Sequence, residues 1–321
     1  MTLDLDKWSK DYLKPAMQAL ANKIDVDLLA LYKGVPNQVG TPGVTPSTFY
    51  VFAQAKARLT EEGTPLDGRS CVIEAQACAK MADTLKGVFQ TAIVTKAIRK
   101  GEITKDLAGF AMYESQNVNT HTVGTWASVA DIQKNVASSE GDTTVSIKST
   151  GAAQVANEGD IFTFASVNSV NPISGMATGS LRQFVVTTAA SMDGSGEIAA
   201  LACIPGQDGV HLIYSSAAAE EDLPYQTMND LPADNDNVTV AGTTGLVHPV
   251  SLAFHKDALG LCMVPIVQPA SVVWGAQESY DGYHISVTRY LTGGTLTETI
   301  RFDVLYGLKV LNPFLACRIA G

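Results

Sequence analysis

Phe52-Ala-Gln-Ala-Lys-Ala-Arg-Leu-Thr-Glu-Glu-Gly-Thr-Pro65-Leu-Asp-Gly-Arg69-Ser-Cys-Val-Ile73 changes its period partway along. Phe49, Phe52, Ala53 and Leu59 share one helical face, with Thr45 as N-cap, Pro46 at the first helical position and Gly63 as stop. Ser70 to Ile73 then reads as a short strand. Working outward, Ala75 to Lys86 and Gln90 to Lys100 carry helical patterns, Gly101 closes the second, and a strand is predicted around Phe110 to Glu114. On the N-terminal side Leu13, Met17, Leu20, Ile24, Leu28 and Leu31 recur at steps of three and four. They predict a helix from Asp6 to Lys33, about 42 Å long at the standard rise. Pro15 either kinks that helix or marks the first turn of one starting near Lys14, and Gly34 is its stop. Gly34 to Thr45, with three glycines and two prolines, reads as a loop. Helices and strands thus mix along this part of the chain, an α+β pattern.

After Trp126 helical periodicity fades, and Thr, Ser, Val, Asn and Gly dominate as far as about Thr244. Candidate strands are Thr144 to Lys148, Asp160 to Ala165, Gln183 to Ala189, Glu197 to Ile204 and Val210 to Ser215, at the spacing of an all-β barrel or sandwich. Glu220 to Asn237 is acidic, contains Pro224 and Pro232, and reads as an exposed excursion or hinge. From Leu246 on, Phe254-His-Lys-Asp-Ala258 reads as a helix-like piece leading into strands at Val272 to Gly275, Tyr283 to Tyr290 and Thr297 to Tyr306. Thr292-Gly293-Gly294 supplies the turn between the last two. The apolar Leu311 to Gly321 is expected to tuck against the core.

Composition narrows the function class. The 321 residues are 46% apolar and 17% charged, which excludes a disordered tail. With 22 Lys and Arg against 32 Asp and Glu the net charge is −10, a field that repels phosphate and disfavours a general nucleic-acid binder. Cys71, Cys78, Cys203, Cys262 and Cys317 form no C-x-x-C pair and read as small buried apolar residues in a reducing compartment. The N-terminus lacks the basic start and apolar run of a secretory signal, and no stretch reaches the length of a membrane helix. A soluble intracellular product is the expectation.

No catalytic, metal-binding or cofactor-binding residue is assigned. His121, His211, His248, His255 and His284 have no ligand partner at i+2 to i+4, so each reads as structural. The pair His255 and Asp257, if helical, points to different faces. Asp230, Asp234 and Asp236 could offer oxygens to calcium but lack the central Gly and distal Glu of an EF-hand, so a solvated acidic loop is the reading. No G-x-S-x-G, P-loop or G-x-G-x-x-G occurs, and Gly194-Ser-Gly196 is only a turn.

Three stretches carry a family resemblance. They are Phe52 to Ile73; Ala97-Ile-Arg-Lys-Gly101-Glu-Ile103 with Ala108-Gly-Phe110 and Glu114-Ser-Gln-Asn117; and Leu252-Ala-Phe-His-Lys-Asp-Ala258 with Arg301-Phe-Asp-Val-Leu-Tyr-Gly307. In that order and at those separations the chain resembles the major coat proteins of tailed bacteriophages, in the branch of the Salmonella podophage whose members carry an inserted β-barrel. Glu158 to Asn168 is similar to a strand pair found in that barrel. The resemblance implies the capsid shell fold shared by tailed phages and herpesviruses (Hong Kong-type), with a spine helix, A-domain and P-domain. The P-domain would comprise residues 1–33 and 265–321, the A-domain 34–125 and 246–264, and the inserted barrel 126–245. Family members ordinarily begin with an N-terminal arm and E-loop before the spine helix. By that resemblance this chain would start at the spine helix, as a truncated piece or a member that has lost those elements.

By that resemblance the protein is a non-enzymatic building block of an icosahedral phage head. Its partners would be copies of itself in pentamers and hexamers, a scaffolding protein and a portal, with packaged DNA near only by non-specific proximity and no membrane. It would be made in the host cytoplasm and end in the virion. The charge distribution suits this: Ser128 to Thr243 holds 14 acidic against 3 basic residues, a net of −11, and the remainder 18 against 19, a net of +1. Acidity is therefore expected on the outer barrel rather than the DNA-facing wall. The alternative is a β-barrel ligand- or carbohydrate-binding module on a scaffold, which predicts exposed aromatics on the barrel. Its candidates, Phe162, Phe164, Phe184, Tyr214 and Tyr225, mostly fit alternating core positions.

Overall fold

The computed structural model describes residues 14–85, 106–151, 153–207, 213–218, 220, 223–267, 274–280, 283–292, 294 and 297–320. The chain divides into two compact units, residues 1–28 with 260–309 and residues 29–259 with 310–321. The helix expected at Gln90 to Lys100, His211 and the first half of the strand predicted at Val210 to Ser215 lie outside the described residues.

In the first unit the three- and four-residue spacing produces helix α1 (Lys14–Leu29), with Pro15 in its first described turn. A 3-10 turn, Ala30–Gly34, follows and ends at the expected glycine. Met17, Leu20, Ile24 and Leu28 line an apolar trough of about 610 Å³ together with Leu261, Met263 and Ile285. The strands of this unit are β15 (Leu259–Val264), β16 (Trp274–Tyr280), β17 (Tyr283–Thr292), β18 (Thr297–Asp303) and β19 (Leu305–Val310). β15 pairs with β19, and β16, β17 and β18 form an antiparallel sheet. The predicted Thr297 to Tyr306 strand is thus two strands that divide at Val304.

The second unit is organised on a mixed sheet of β1 (Gln38–Gly40), β2 (Arg69–Ile73), β3 (Asp106–Leu107), β4 (Phe110–Glu114), β5 (Thr120–Thr122), β14 (Val247–His255) and β20 (Ala316–Ala320). Its order is β1-β20-β14-β2-β4-β3, with β5 pairing the first part of β14. Helix α2 (Phe49–Glu61) lays Phe52, Ala55 and Leu59 on one face, against Cys71, Phe110, Ala253 and Ile319. Helix α3 (Ala75–Leu85) adds Cys78 and Met81 to that core. Tyr32, Val35, Val250, Leu252 and Ala316 pack on the opposite face.

Three expectations fail here. Phe254 to Ala258 is not helical: Phe254 and His255 end β14, a central strand covered on both faces, which therefore shows no alternation to read. The Gly34 to Thr45 loop contains β1, which runs parallel to β20. Helix α2 has Thr48 and not Thr45 at its N-cap position, without a side-chain capping bond, and Phe49 is 47% exposed rather than on the core face. The C-terminal segment does tuck in, every residue of β20 being buried.

The β-rich stretch forms its own core. Its strands are β6 (Gln133–Lys134), β7 (Thr144–Lys148), β8 (Val155–Ala156), β9 (Ile161–Val170), β10 (Ala177–Val186), β11 (Ala190–Ser191), β12 (Glu197–Ile204) and β13 (Val238–Val240). Six of them form a sheet ordered β13-β9-β10-β12-β7-β6. It closes on itself where Gln133 bridges Asn237, the Lys134 amide donating to Asp236 O and the Val238 amide to Ile132 O, each at 2.9 Å. Closure removes both edges, and Phe162, Phe164 and Phe184 meet inside with Trp126.

Candidate functional site: the joint between barrel and sheet

Two buried polar clusters connect the barrel to the mixed sheet. The first begins at the tight turn Asn157–Asp160, which carries the Asp160 carboxylate into the body of the unit at 1% exposure. Asp160 accepts from the Gly124 amide at 3.1 and 3.2 Å, the Trp126 indole N–H at 2.7 Å and the Asn157 amide at 2.8 Å. His121 Nε2 lies 2.9 Å from Asp160 Oδ1. Hydrogen bonding to that oxygen assigns the Nε2 proton to His121, leaving Nδ1, 3.3 Å from the Tyr32 hydroxyl, as acceptor. Two glycines permit this approach. A Cβ on Gly124 would stand 2.6 Å from Asp160 Oδ2, and Gly159, at φ +95°, would place one 3.2 Å from the His121 ring.

His248 stands directly across from His121 in the β14–β5 ladder, and the rings meet edge to face with centroids 5.6 Å apart. It is 2% exposed, and its Nδ1 has no hydrogen-bond partner among the described residues. Burial first, then the neighbouring His121 ring when charged and the positive charge of Arg318, push the His248 imidazole down to about 4. Arg318, itself lowered to about 10 by burial, donates Nε to Val35 O at 2.8 Å and Nη1 to Gly159 O at 2.7 Å, and lies over the Tyr32 ring.

The second cluster joins α2 to β10. Arg182 places Nη1 3.0 Å from both carboxylate oxygens of Glu62, and its guanidinium lies 4.1 Å from the Phe314 ring centroid. On the same helix Arg58 faces Glu62 at 3.4 Å, donates Nε to Asn37 Oδ1 at 3.2 Å and Nη1 to Ser169 Oγ at 3.2 Å. Alongside, the Gln183 amide accepts from the Gln38 N–H at 2.7 Å and donates to the Gln38 C=O at 2.9 Å. A barrel side chain thereby occupies the outer edge of the sheet at β1, a position open to a further strand if left bare. Outside these contacts lies a groove of about 840 Å³ between α2 and β10.

None of the isolated sequence candidates converges on a catalytic arrangement among the described residues. His255 and Asp257 do approach, Nδ1 to Oδ2 at 3.4 Å, because His255 ends β14 and Asp257 lies in the turn after it, not on a helix; Asp257 is solvent-facing. Asp230, Asp234 and Asp236 do not collect around one point. Asp234 pairs with Lys148 at 3.5 Å, and Asp236 accepts from Ser166 and the Ala233 amide. Nor is Glu220 to Asn237 wholly an excursion: Met228 is fully buried in the barrel core, and Asn229 accepts from the Asn168 amide. His284 lies 2.6 Å from Ser279 Oγ on the exposed hairpin. Cys71, Cys78, Cys203 and Cys317 are buried as expected, burial raising the Cys203 thiol to about 12, while Cys262 is exposed. The residues that join barrel and sheet had no sequence signal of their own: Glu62 and Arg182 are 120 positions apart, and His121 and Asp160 are 39 apart.

The model of one protein family, described as "P22 coat protein - gene protein 5", matches residues 3–318. Among solved structures, a chain described as "Mycobacterium phage Che8" aligns at 14% identity with a TM-score of 0.42, covering 96% of this chain. The chain spans 61% of the length of that relative. A second, "Capsid structure of the Cyanophage P-SCSP1u", aligns at 13% identity and TM-score 0.36, covering 99% of this chain and 69% of the other. No curated protein matches.

Proposed function

The chain belongs to the P22 coat protein family, and from that premise we propose that it is the major capsid protein of a tailed phage, a structural subunit that builds an icosahedral head around DNA. The single observation that carries this reading is the family match over residues 3–318, nearly the whole chain. The α+β architecture with an inserted closed barrel agrees with it. In this reading the capsid shell fold is divided into a P-domain of residues 1–33 and 265–321, an A-domain of 34–125 and 246–264, and an inserted barrel of 126–245. Assembly is then the sum of many modest contacts repeated by symmetry among pentamers and hexamers, with a scaffolding protein and portal as further partners. The host cytoplasm is the place of assembly and the virion the destination.

A subunit with this task needs its modules held in fixed relation, and the polar clusters at the joint supply that. Paired buried charges fix geometry, because alternative registers leave them unpaired. The ligand-binding alternative receives little support: Phe162, Phe164 and Phe184 are buried in the core, and Tyr225 is the only barrel aromatic among the large exposed side chains described.

The test is expression of the natural gene product with the proteins encoded beside it, followed by electron microscopy. Capsomers or closed shells are expected. A monomer under every condition, with and without a scaffolding partner, overturns the reading.

A further inference from the structure

We propose that His248, which meets His121 edge to face at the joint, makes the attachment of the barrel to the mixed sheet acid-labile, closed at neutral pH and opening in weak acid before either core unfolds. The inference rests on the local geometry and stands whether or not the chain builds a shell.

The charged and titratable groups facing His248 come from four elements. His121 on β5 is its cross-strand partner, and Asp160 of the 157–160 turn lies beyond that ring. Arg318 enters from β20 and Tyr32 from the 3-10 turn, while Lys33 and Glu158 pair at 2.9 Å on the rim. Near His248 the one carboxylate, Asp160, and the one guanidinium, Arg318, already balance. A proton on His248 adds an uncompensated positive charge in a buried site with no acceptor for it among the described residues. The carboxylate cannot serve: it is engaged by Gly124, Trp126, Asn157 and His121. Opening the joint returns the imidazole to solvent, where it titrates near 6.5.

The sign follows from linkage. The closed joint holds His248 at about 4, against a reference value of 6.5, so the open form binds more protons between those limits. Closure is therefore fully favoured above about pH 6.5 and weakens as pH falls toward 4. Between pH 7 and pH 5 the opening equilibrium is expected to rise about 20-fold from this one group.

Amide hydrogen exchange on the whole protein tests this, with rates corrected for the intrinsic pH dependence of exchange. The Gly124 and Asn157 amides, which donate to Asp160, should open about 20-fold more at pH 5 than at pH 7, while barrel amides in the β9–β10 ladder hold. His248→Gln should abolish the rise. A wild-type change below threefold, or an unchanged rise in His248→Gln, overturns the proposal. If that variant does not fold, the titration of His248 in the wild-type protein decides by NMR. A midpoint near 4 is expected, and one at 6 or above overturns it. Particle formation at neutral pH is a separate measurement, so failure here leaves the coat-protein reading untouched.

Discussion

Arg182 crosses from the barrel to α2 and sets one guanidinium nitrogen 3.0 Å from both oxygens of Glu62, with both side chains at 3% exposure or less. Removing one partner strands the other charge in the interior. Glu62→Ala is expected to cost about 3–5 kcal/mol. Replacing both, as Glu62→Leu with Arg182→Met, should cost clearly less than Glu62→Ala alone. Urea denaturation of the two variants checks the order; equal losses would mean the pair contributes attraction rather than mutual neutralisation.

Asp160→Asn keeps the shape of the carboxyl group but turns one acceptor into a donor. Three of its present neighbours, the Gly124 and Asn157 amides and the Trp126 indole, are donors only, and all three reach Oδ2. With the amide oxygen in the Oδ2 position these donors keep an acceptor but lose its charge, and the new NH2 faces His121 Nε2, which must give up its proton to accept; a loss of about 1–3 kcal/mol is expected. The readout is local: Trp126 fluorescence should shift to the red while far-ultraviolet circular dichroism holds.

Gly124→Ala tests the same site from the backbone. The added methyl would meet Val155 O and Asp160 Oδ2, neither of which can retreat without breaking the joint. Destabilisation of at least about 2 kcal/mol is expected, on the scale of overpacking a closed site. Gly194→Ala, where an added methyl meets nothing within 4 Å, is the control and should change stability by under about 0.5 kcal/mol.

These contrasts show which parts of the molecule local pattern could reveal. β7 and β12 stand where the sequence puts them, Thr144 to Lys148 and Glu197 to Ile204, because one face of each is in the barrel core and the other is not. β14 escaped because its neighbours cover it on both sides, leaving an apolar run that suits helix or strand. β1 escaped because three residues between glycines and prolines carry no period; its partner in the sheet is β20, at the far end of the chain. The joint was illegible for a similar reason. Arg58, Glu62, Asp160, Arg182 and Arg318 carry no local pattern that marks a charge as buried, and only tertiary structure brings them inside. The acidic count, by contrast, located the barrel's charge without any coordinates.

Lys134 offers a last test, of a charge that the barrel holds at a cost. Its side chain is 2% exposed in β6, its Nζ donates only a long bond of 3.4 Å to Ser146 Oγ, and burial pulls the amine below its usual value of 10.5. A lysine lowered on folding means that the unfolded chain binds the proton more tightly, so stability rises with pH up to about 10.5 and the penalty is fully present below the folded value. Lys134→Met fills the same space without the charge and is expected to stabilise the protein by about 1 kcal/mol at pH 7. The advantage should shrink as pH approaches 10.5. Chemical denaturation of both proteins at pH 7 and pH 10 measures it. A variant less stable than wild type at pH 7 would show that Asp142, whose charge acts to hold the amine protonated, outweighs desolvation in the folded barrel.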